Sequence, residues 1–536
     1  MSGAPMAESA GEETAPCRSA GAGDSGPLYE CSVVASGHEL VSRTAADILC
    51  HGGNAFDAVV AAGFAGAVAE QTLTSLGGGG FLLARTCDRS GPCREIFFDF
   101  FVDTPGRGLT DPPDPHFFPV TVDFGGSGQD FNIGLGSVAV PGTLKGLLHV
   151  HGRLGRMDLA DVLAPAIELA RGHRLNSFQA GFLGLLRPIM TMSETGRSLY
   201  EPGGRYLQAG DILINRELAD FMASLVHDQG HSFYQGDIAR AMDRDMRAGD
   251  GLLTFEDLAA YQVIERDPLR IPYHGRLLLT APPPSMGGTL IGLSLSLLEA
   301  MEPLDGAWGS AAHLLRTTGL MQEVERLREL GVCTPDALAE FLDSATVDYS
   351  TKRIRMFSRG TTHISIADRD GNVASMTCSN GEGSGYFAPG TGIMLNNMMG
   401  EDDLHPDGFH SAPPGQRVGS MMSPSVLLHG DRAELVLGSG GSKRIRTAMT
   451  QVLTQMVDFG RDLVQAVEAP RLHWDGEVLQ MEPGFAEASV AALQQKVRVN
   501  VWQEKSMYFG GVHVVVPGRG GAGDPRRGGA VEVVRP

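Results

Sequence analysis

The sequence predicts a layered α/β protein, on three observations. Helical and strand-like segments alternate along a chain of 536 residues, long enough for a large core. Ile364 and Ile366 alternate with polar or small neighbours before Asp370-Gly371, a strong hairpin signal. Small-residue and amphipathic segments, such as Asn54 to Glu70 and Leu159 to Ala170, have the length and spacing of helices packed on a sheet.

The elements follow in order. A strand-like start at Cys31 leads into a helix that stops at Gly52-Gly53, and the helix from Asn54 is rich in Ala, Val and Gly. Gly77-Gly78-Gly79-Gly80 then precedes Phe81-Leu82-Leu83. Four successive glycines fit either backbone passing very close to another group or a loop that needs positive φ. Leu159, Val162, Leu163, Ile167 and Ala170 recur at helical spacing, with Pro165 in the first turns. Further helices fit Asp237 to Ala248 and Ser310 to Leu330, and Pro282-Pro283-Pro284 connects to another. Asp343 to Gly360 is polar, carries several Arg, and reads as a surface linker.

Composition narrows the function classes. A formal net charge of −20 argues against a nucleic-acid partner, because phosphate binding needs a basic face. No segment approaches the roughly 18 apolar residues of a membrane span. Residues 1–28 read as a small, polar, acidic tail without the apolar core of a secretion signal, so a cytoplasmic location is expected. Seven thinly spread cysteines do not look like a disulfide framework.

The hairpin carries the chemistry. With Asp370-Gly371 as a two-residue turn, Asn372 to Ser379 returns antiparallel and Thr361 faces Asn380, give or take a residue, with Ser379 beside it. A threonine hydroxyl is a poor nucleophile without a base. An amino-terminal threonine carries its own base, an α-amine of pKa about 7.7–8.0, close to neutral. An internal Thr361 has only an amide nitrogen, so a cut after Gly360 would switch the activity on. The same hydroxyl can make that cut by attacking the Gly360 carbonyl, and Gly360 tolerates the strained torsions this demands. His363 is expected to alternate away from Thr361 along the strand and to serve a structural role or the self-cleavage step.

From about Val33 to Ala530, the sequence resembles the gamma-glutamyltransferase (glutathione hydrolase) family. The runs that carry the likeness include Gly52-Gly53-Asn54-Ala55, Gly77 to Phe81, Ser137 to Gly142, Leu163 to Ile167 and Gly251 to Thr254. Asp257 to Tyr261, Pro282 to Gly288, Thr361-Thr362-His363, Gly390 to Asn397 and Asp524-Pro525-Arg526-Arg527 complete them in the same order. The resemblance implies an N-terminal-nucleophile hydrolase fold, a four-layer αββα sandwich. It also implies self-cleavage into a large subunit, 29–360 behind the tail, and a small subunit, 361–536, that stay together as a heterodimer. The implied reaction moves a gamma-glutamyl group from a small-molecule donor such as glutathione to water or an amine. It runs through an acyl-enzyme and needs no cofactor, metal, nucleic acid or membrane.

Residue by residue, Thr361 matches the family nucleophile and Ser379 a supporting hydroxyl. Gly440 and Gly441, in a run one Pro shorter than the family's, match oxyanion-hole glycines. Ser420 matches a serine that contacts the substrate carboxylate. Glu401, or its neighbour Asp402, matches an acid for the substrate ammonium, and Asn380 falls in the substrate-binding stretch. The departures bear on specificity. The family's arginine after the Asp-Phe pair, which clamps the donor carboxylate, is absent from Asp99-Phe100-Phe101-Val102, and phenylalanine cannot replace a guanidinium. Asn380 to Gly385 is changed and shortened, as is the stretch from Leu404 to Ser420. Arg417 or Arg444 stands as a substitute for the missing arginine. An acylase of the same fold, for a glutaryl or cephalosporin-type side chain, is the enzyme alternative. An unprocessed, inactive relative acting as a binding protein is the third reading.

Two other patterns carry no function. Gly518 to Gly523 fits G-x-G-x-x-G but has no room for a following βαβ unit. His149 and His151, two apart on a helix, point to different faces, which favours structural roles over a metal.

Overall fold

The computed structural model describes residues 28–87, 92–123, 128–331, 360–405 and 408–536. The tail expected at 1–28, save its last residue, and the linker expected at 343–360, save Gly360, lie outside the described residues. The strands of the two large sheets are β1 (Ser32–Ser36), β2 (Gly79–Thr86), β3 (Arg94–Phe100), β4 (Ile264–Arg266), β5 (Leu269–Tyr273), β6 (Arg276–Thr280) and β7 (Thr362–Ala367). They continue with β8 (Val373–Ser379), β9 (Ser425–His429), β10 (Arg432–Gly440), β11 (Gly511–Val516), β12 (Gly520–Ala522) and β13 (Ala530–Val534). The seven-stranded sheet has the order β13-β1-β7-β8-β2-β3-β4, and the six-stranded sheet β12-β11-β10-β9-β6-β5.

The sheets lie face to face, with β7 and β8 against β10. Helices α1 (Glu39–Cys50), α2 (Ala55–Ala69), α3 (Thr143–Leu154) and α4 (Leu159–Arg171) cover the outer side of the first sheet. Helices α5 (Met286–Ala300), α6 (Ala311–Glu329) and α7 (Arg444–Val457) cover the second. This is the four-layer αββα sandwich expected. Strand alternation sorts the side chains into two cores. Val34, Ile364, Ile366 and Met376 face the helices of the first sheet, whereas Val33, Ala35, Leu83 and Val436 lie between the sheets.

Helix α2 is buried on every side, which explains its small apolar residues and lack of a polar face. Its one internal carboxylate is fully engaged. Asp57 accepts the Asn54 backbone N–H at 2.9 Å, closing a capping box, and the N–H groups of Arg156 and Met157 at 2.9 and 3.2 Å. The four-glycine run resolves in favour of close approach. None of Gly77 to Gly80 has positive φ. A Cβ on Gly78 would lie 2.2 Å from the Ser379 carbonyl oxygen, and one on Gly77 2.7 Å from that of Met394.

The hairpin register is one residue from the two-residue-turn reading. The last paired residues are Ala367 and Val373, and Thr362 pairs with Cys378. The connection is longer than Asp370-Gly371 because the Asp368 carboxylate organises it, accepting the backbone N–H groups of Asp370 and Asn372 at 3.0 and 2.9 Å. Ser379, rather than Asn380, therefore comes opposite Thr361. The expectation for His363 is also corrected. Two residues on, it shares the face of Thr361, and its ring packs against Gly438 of the opposite sheet.

The parts divided at Gly360 are not separate domains. β7 and β8 sit between β1 and β2 of the first sheet, so a cut after Gly360 leaves both pieces joined by backbone ladders. The cysteine expectation is overturned. Cys87 and Cys93 form a disulfide across the ends of β2 and β3, and Cys50 is also disulfide-bonded. The cysteines therefore give no support to a reducing compartment. Among the described residues, no helix is long and apolar enough to cross a membrane. Gly518 to Gly523 forms the connection and strand of the β11–β12 hairpin.

Because Gly78 presses on the strand end beside Thr361, Gly78→Ala should lower stability by about 1–3 kcal/mol through overpacking. Thermal unfolding checks this, and an unchanged midpoint would show that the contact is slack.

Candidate active site

Thr361 stands at the start of β7, buried at the end of the hairpin. Its Oγ1 lies 3.5 Å from Ser379 Oγ. Ser379 Oγ–H donates to the Gly360 carbonyl oxygen at 2.6 Å and accepts the Gly381 N–H at 3.1 Å. One hydroxyl thus touches both the candidate nucleophile and the carbonyl before it. The Thr361 carbonyl accepts from Arg527 Nη1 at 3.1 Å, and a Cβ on Gly440 would lie 2.3 Å from that same oxygen. Glycine at 440 therefore lets β10 close on Thr361, and Gly441 turns the chain away with φ +124°.

The neighbouring Thr362 points to the helix side. Its hydroxyl lies 3.0 Å from each oxygen of Glu70, the residue that ends α2. Burial pushes the Glu70 carboxyl up to about 7, against the lowering effects of the Thr362 hydroxyl and Arg527. Arg527 is driven down to about 10 by burial and by the nearby Arg444. His363 is held well below its ordinary value by burial, and so is neutral; its ring contacts the hydroxyls of Thr377 and Ser365 at 2.8 and 2.9 Å. Both hydroxyls belong to its own sheet, and it is the packing of the ring on Gly438 that reaches the opposite one.

A small cleft of about 30 Å³ opens beside Thr361. Phe101, Met398, Leu404, Met421, Met422 and Ile445 supply its apolar wall, and Ser379, Glu401, Ser420 and Ser442 its polar groups. Of the two acids left open, Glu401 is buried in the cleft and Asp402 is exposed. The third acid, Asp403, is bound to Lys443 Nζ at 2.8 Å and Ser442 Oγ at 2.9 Å. Ser420 lines the cleft, with its Oγ accepting the Met422 N–H at 3.1 Å. Asn380 does not line it. Its amide is buried and makes no hydrogen bond among the described residues.

Neither proposed substitute fills the place of the missing arginine. Arg417 is consumed by Asp103 at 2.7 Å, Asp99 at 2.8 Å and the Gln262 carbonyl at 2.8 Å. Arg444 donates to the Tyr508 carbonyl at 3.0 Å and lies over that residue's ring. Phe101 itself forms part of the wall. No group of three or more His, Cys, Asp or Glu able to hold a metal occurs among the described residues.

The gamma-glutamyltranspeptidase family model matches residues 41–534. The chain belongs to that family. Within it, the acylase ACY 1 proenzyme of Pseudomonas sp. (strain SE83) is 32% identical over 490 residues, covering 86% of each chain. The glutathione hydrolase proenzyme of Escherichia coli (strain K12) is 30% identical over 513 residues, covering 87% of this chain and 85% of the other. In fold, the chain is similar to cephalosporin acylase from Bacillus halodurans, with a TM-score of 0.77 over 96% of this chain and 97% of that one, at 23% identity.

Glu70, Arg527 and Glu382 drew no role from the sequence. A signal for Glu70 was present: a carboxylate ending a helix that is apolar all round must be buried or exposed by design, and here it is buried. Its folded-state pKa lies above the ordinary 4.5, so its contribution to stability is present below pH 4.5 and is lost as pH rises through about 7. Relative to Glu70→Gln, the wild type should lose on the order of 3 kcal/mol between pH 4.5 and pH 8. Paired unfolding curves across that range test this, and a constant difference would contradict it.

Proposed function

We propose that the chain is a self-processing amidohydrolase that cleaves itself between Gly360 and Thr361 and then uses the amino-terminal Thr361 as its acyl-accepting nucleophile. The single observation that carries this reading is the Ser379 hydroxyl, 2.6 Å from the Gly360 oxygen and 3.5 Å from Thr361 Oγ1. In the first step, Thr361 Oγ bonds to the Gly360 carbonyl carbon. The C–N bond breaks, and the proton of the hydroxyl ends on the departing nitrogen. Water then hydrolyses the ester, leaving a Gly360 carboxylate and a free Thr361 amine and hydroxyl. Ser379 is placed to donate to the oxyanion that develops on the Gly360 oxygen.

In the mature protein, the Thr361 amine serves as general base for its own hydroxyl. Attack on a substrate amide gives an acyl-enzyme, the leaving amine takes the proton, and water or a second amine releases the acyl group. Gly440 and Gly441 are the proposed oxyanion-hole residues, on the strand end pressed against Thr361. The fragments 1–360 and 361–536 remain one heterodimer because their strands share both sheets.

For the acyl group, the apolar wall with Phe101 in it favours an acylase over a strict gamma-glutamyl transferase. Among the described residues the cleft wall carries no guanidinium, so a donor α-carboxylate meets no bidentate partner there. The ACY 1 relative is consistent with this reading. One observation favours the second reading, a gamma-glutamyl amide such as glutathione as donor: Glu401 is a buried acid in the cleft, suited to an α-ammonium. The glutathione hydrolase relative is consistent with that reading.

Purified protein should run as two bands in place of one at 56.9 kDa, the smaller beginning Thr-Thr-His-Ile, while Thr361→Ala stays whole. A whole, active wild type would refute the mechanism. Glutaryl and gamma-glutamyl anilides separate the donors. The two donors share the terminal carboxylate and differ by the ammonium, which an apolar wall disfavours, so under the acylase reading glutaryl turnover is the faster and survives Glu401→Gln. Faster gamma-glutamyl turnover, falling roughly tenfold or more in Glu401→Gln, would establish the second reading instead.

A further inference from the structure

Resting on the reading of Thr361 as nucleophile, we infer that Glu382 is a positioning residue for the self-cleavage: its side chain holds the backbone N–H of Gly360 while Ser379 holds the carbonyl. Two hydrogen bonds, one at each end of the residue before the scissile bond, then fix that carbonyl carbon against the Thr361 hydroxyl. Glu382 is used by no other step of the mechanism.

The contacts are specific. Gly360 N–H donates to Glu382 Oε1 at 3.4 Å, and Ser379 Oγ–H donates to Gly360 O at 2.6 Å. The Glu382 side chain is buried, and its backbone is anchored independently: its N–H donates to Asn397 Oδ1 at 2.9 Å. The rest of the loop is tied to the same neighbouring segment, with Ser384 N–H and Oγ–H both donating to the Leu395 carbonyl, at 2.9 and 3.0 Å. Positive φ at Gly381 (+61°), Gly383 (+87°) and Gly385 (+79°) lets so short a loop curl round Gly360. The fit leaves no room for another residue there. A Cβ on Gly360 would lie 2.4 Å from the Gly381 oxygen and 2.6 Å from the Thr72 oxygen.

The physical role follows from what the step needs. The attacking hydroxyl and the carbonyl are adjacent in the chain, so their approach is limited by rotation of the peptide between them. A residue tethered at both its N–H and its C=O has lost most of that rotation before the reaction begins, and the barrier falls by the ordering already done. Glu382 supplies the second tether. It donates no proton and forms no bond, so what matters is a carbonyl-type oxygen at this depth in the loop.

The test is the rate of cutting of the full chain, followed by gel after a pulse of cell-free synthesis. Glu382→Ala removes the acceptor, and Glu382→Asp withdraws it by one methylene. Both should cut roughly tenfold or more slowly than wild type. Glu382→Gln keeps an oxygen in the same place and should cut within about threefold of wild type. That rescue is the result a merely structural role would not give. Should Glu382→Ala fail to fold by thermal melt, the contrast between Asp and Gln decides alone. Wild-type rates in Ala or Asp, or Gln as slow as they are, would overturn the inference. A wild type that is never cut would instead remove the reading of Thr361 on which it stands.

Discussion

The site depends on a backbone ladder. β7 pairs with β8 in a register that sets Ser379 opposite Thr361, and a slip of one residue would turn every side chain of the strand to the other face. That register is fixed from both sides. At the turn, the Asp368 carboxylate gathers the N–H groups of the connection, and also accepts the Ala55 N–H at 3.0 Å where α2 begins. At the far end, β2 lies against β8 so closely that only glycine fits at Gly78. The geometry of two hydroxyls and one carbonyl thus rests on contacts along the length of the hairpin.

Much of this was legible in the sequence because it rests on local rules. The helix from Asn54, the helix from Asp237 to Ala248 and the hairpin strands all fall where periodicity and turn chemistry put them. The register falls within the one residue allowed, shifted from Asn380 to Ser379 because the Asp368 carboxylate recruits a connection longer than two residues. The partnership of Thr361 with His363 was misassigned by a slip in strand alternation, which has period two. The Cys87–Cys93 bridge was missed because the ends that bring the two thiols together belong to adjacent strands, and spacing alone does not show this. The resemblance supplied Ser420 and the pair Glu401 or Asp402, which come from segments remote from the hairpin; of that pair Glu401 is buried in the cleft and Asp402 is exposed. Arg527 and Glu382 were invisible because each acts through a tertiary contact with a residue that has no sequence relation to it, and Glu70 showed only as a carboxylate at the end of an apolar helix.

Polar groups sit unevenly around Thr361. Behind it, toward the helices, Thr362 meets the buried Glu70, whose charge Arg527 favours from beside Gly440 and Gly511. In front of it the cleft is largely apolar, with Glu401 the buried acid in its wall. Arg417, the cation nearest in sequence to the cleft-lining Ser420, is spent on Asp99 and Asp103, the acids flanking the Phe100-Phe101 pair. On the reading proposed for Thr361, the chain keeps the parts that make and break an acyl bond and presents a largely apolar wall to the acyl group. Such a division is expected where one reaction core serves several substrates, since the nucleophile and its supporting hydroxyl do not touch the far end of the acyl chain.

The central claim is that the Thr361 oxygen carries the acyl group. Mass spectrometry of protein quenched by acid during turnover of an anilide substrate tests it most directly. The peptide that begins at Thr361 should gain the mass of the acyl group, and lose it on exposure to mild base. An acyl adduct on any other residue, or none at all in protein that is turning over, would contradict the account.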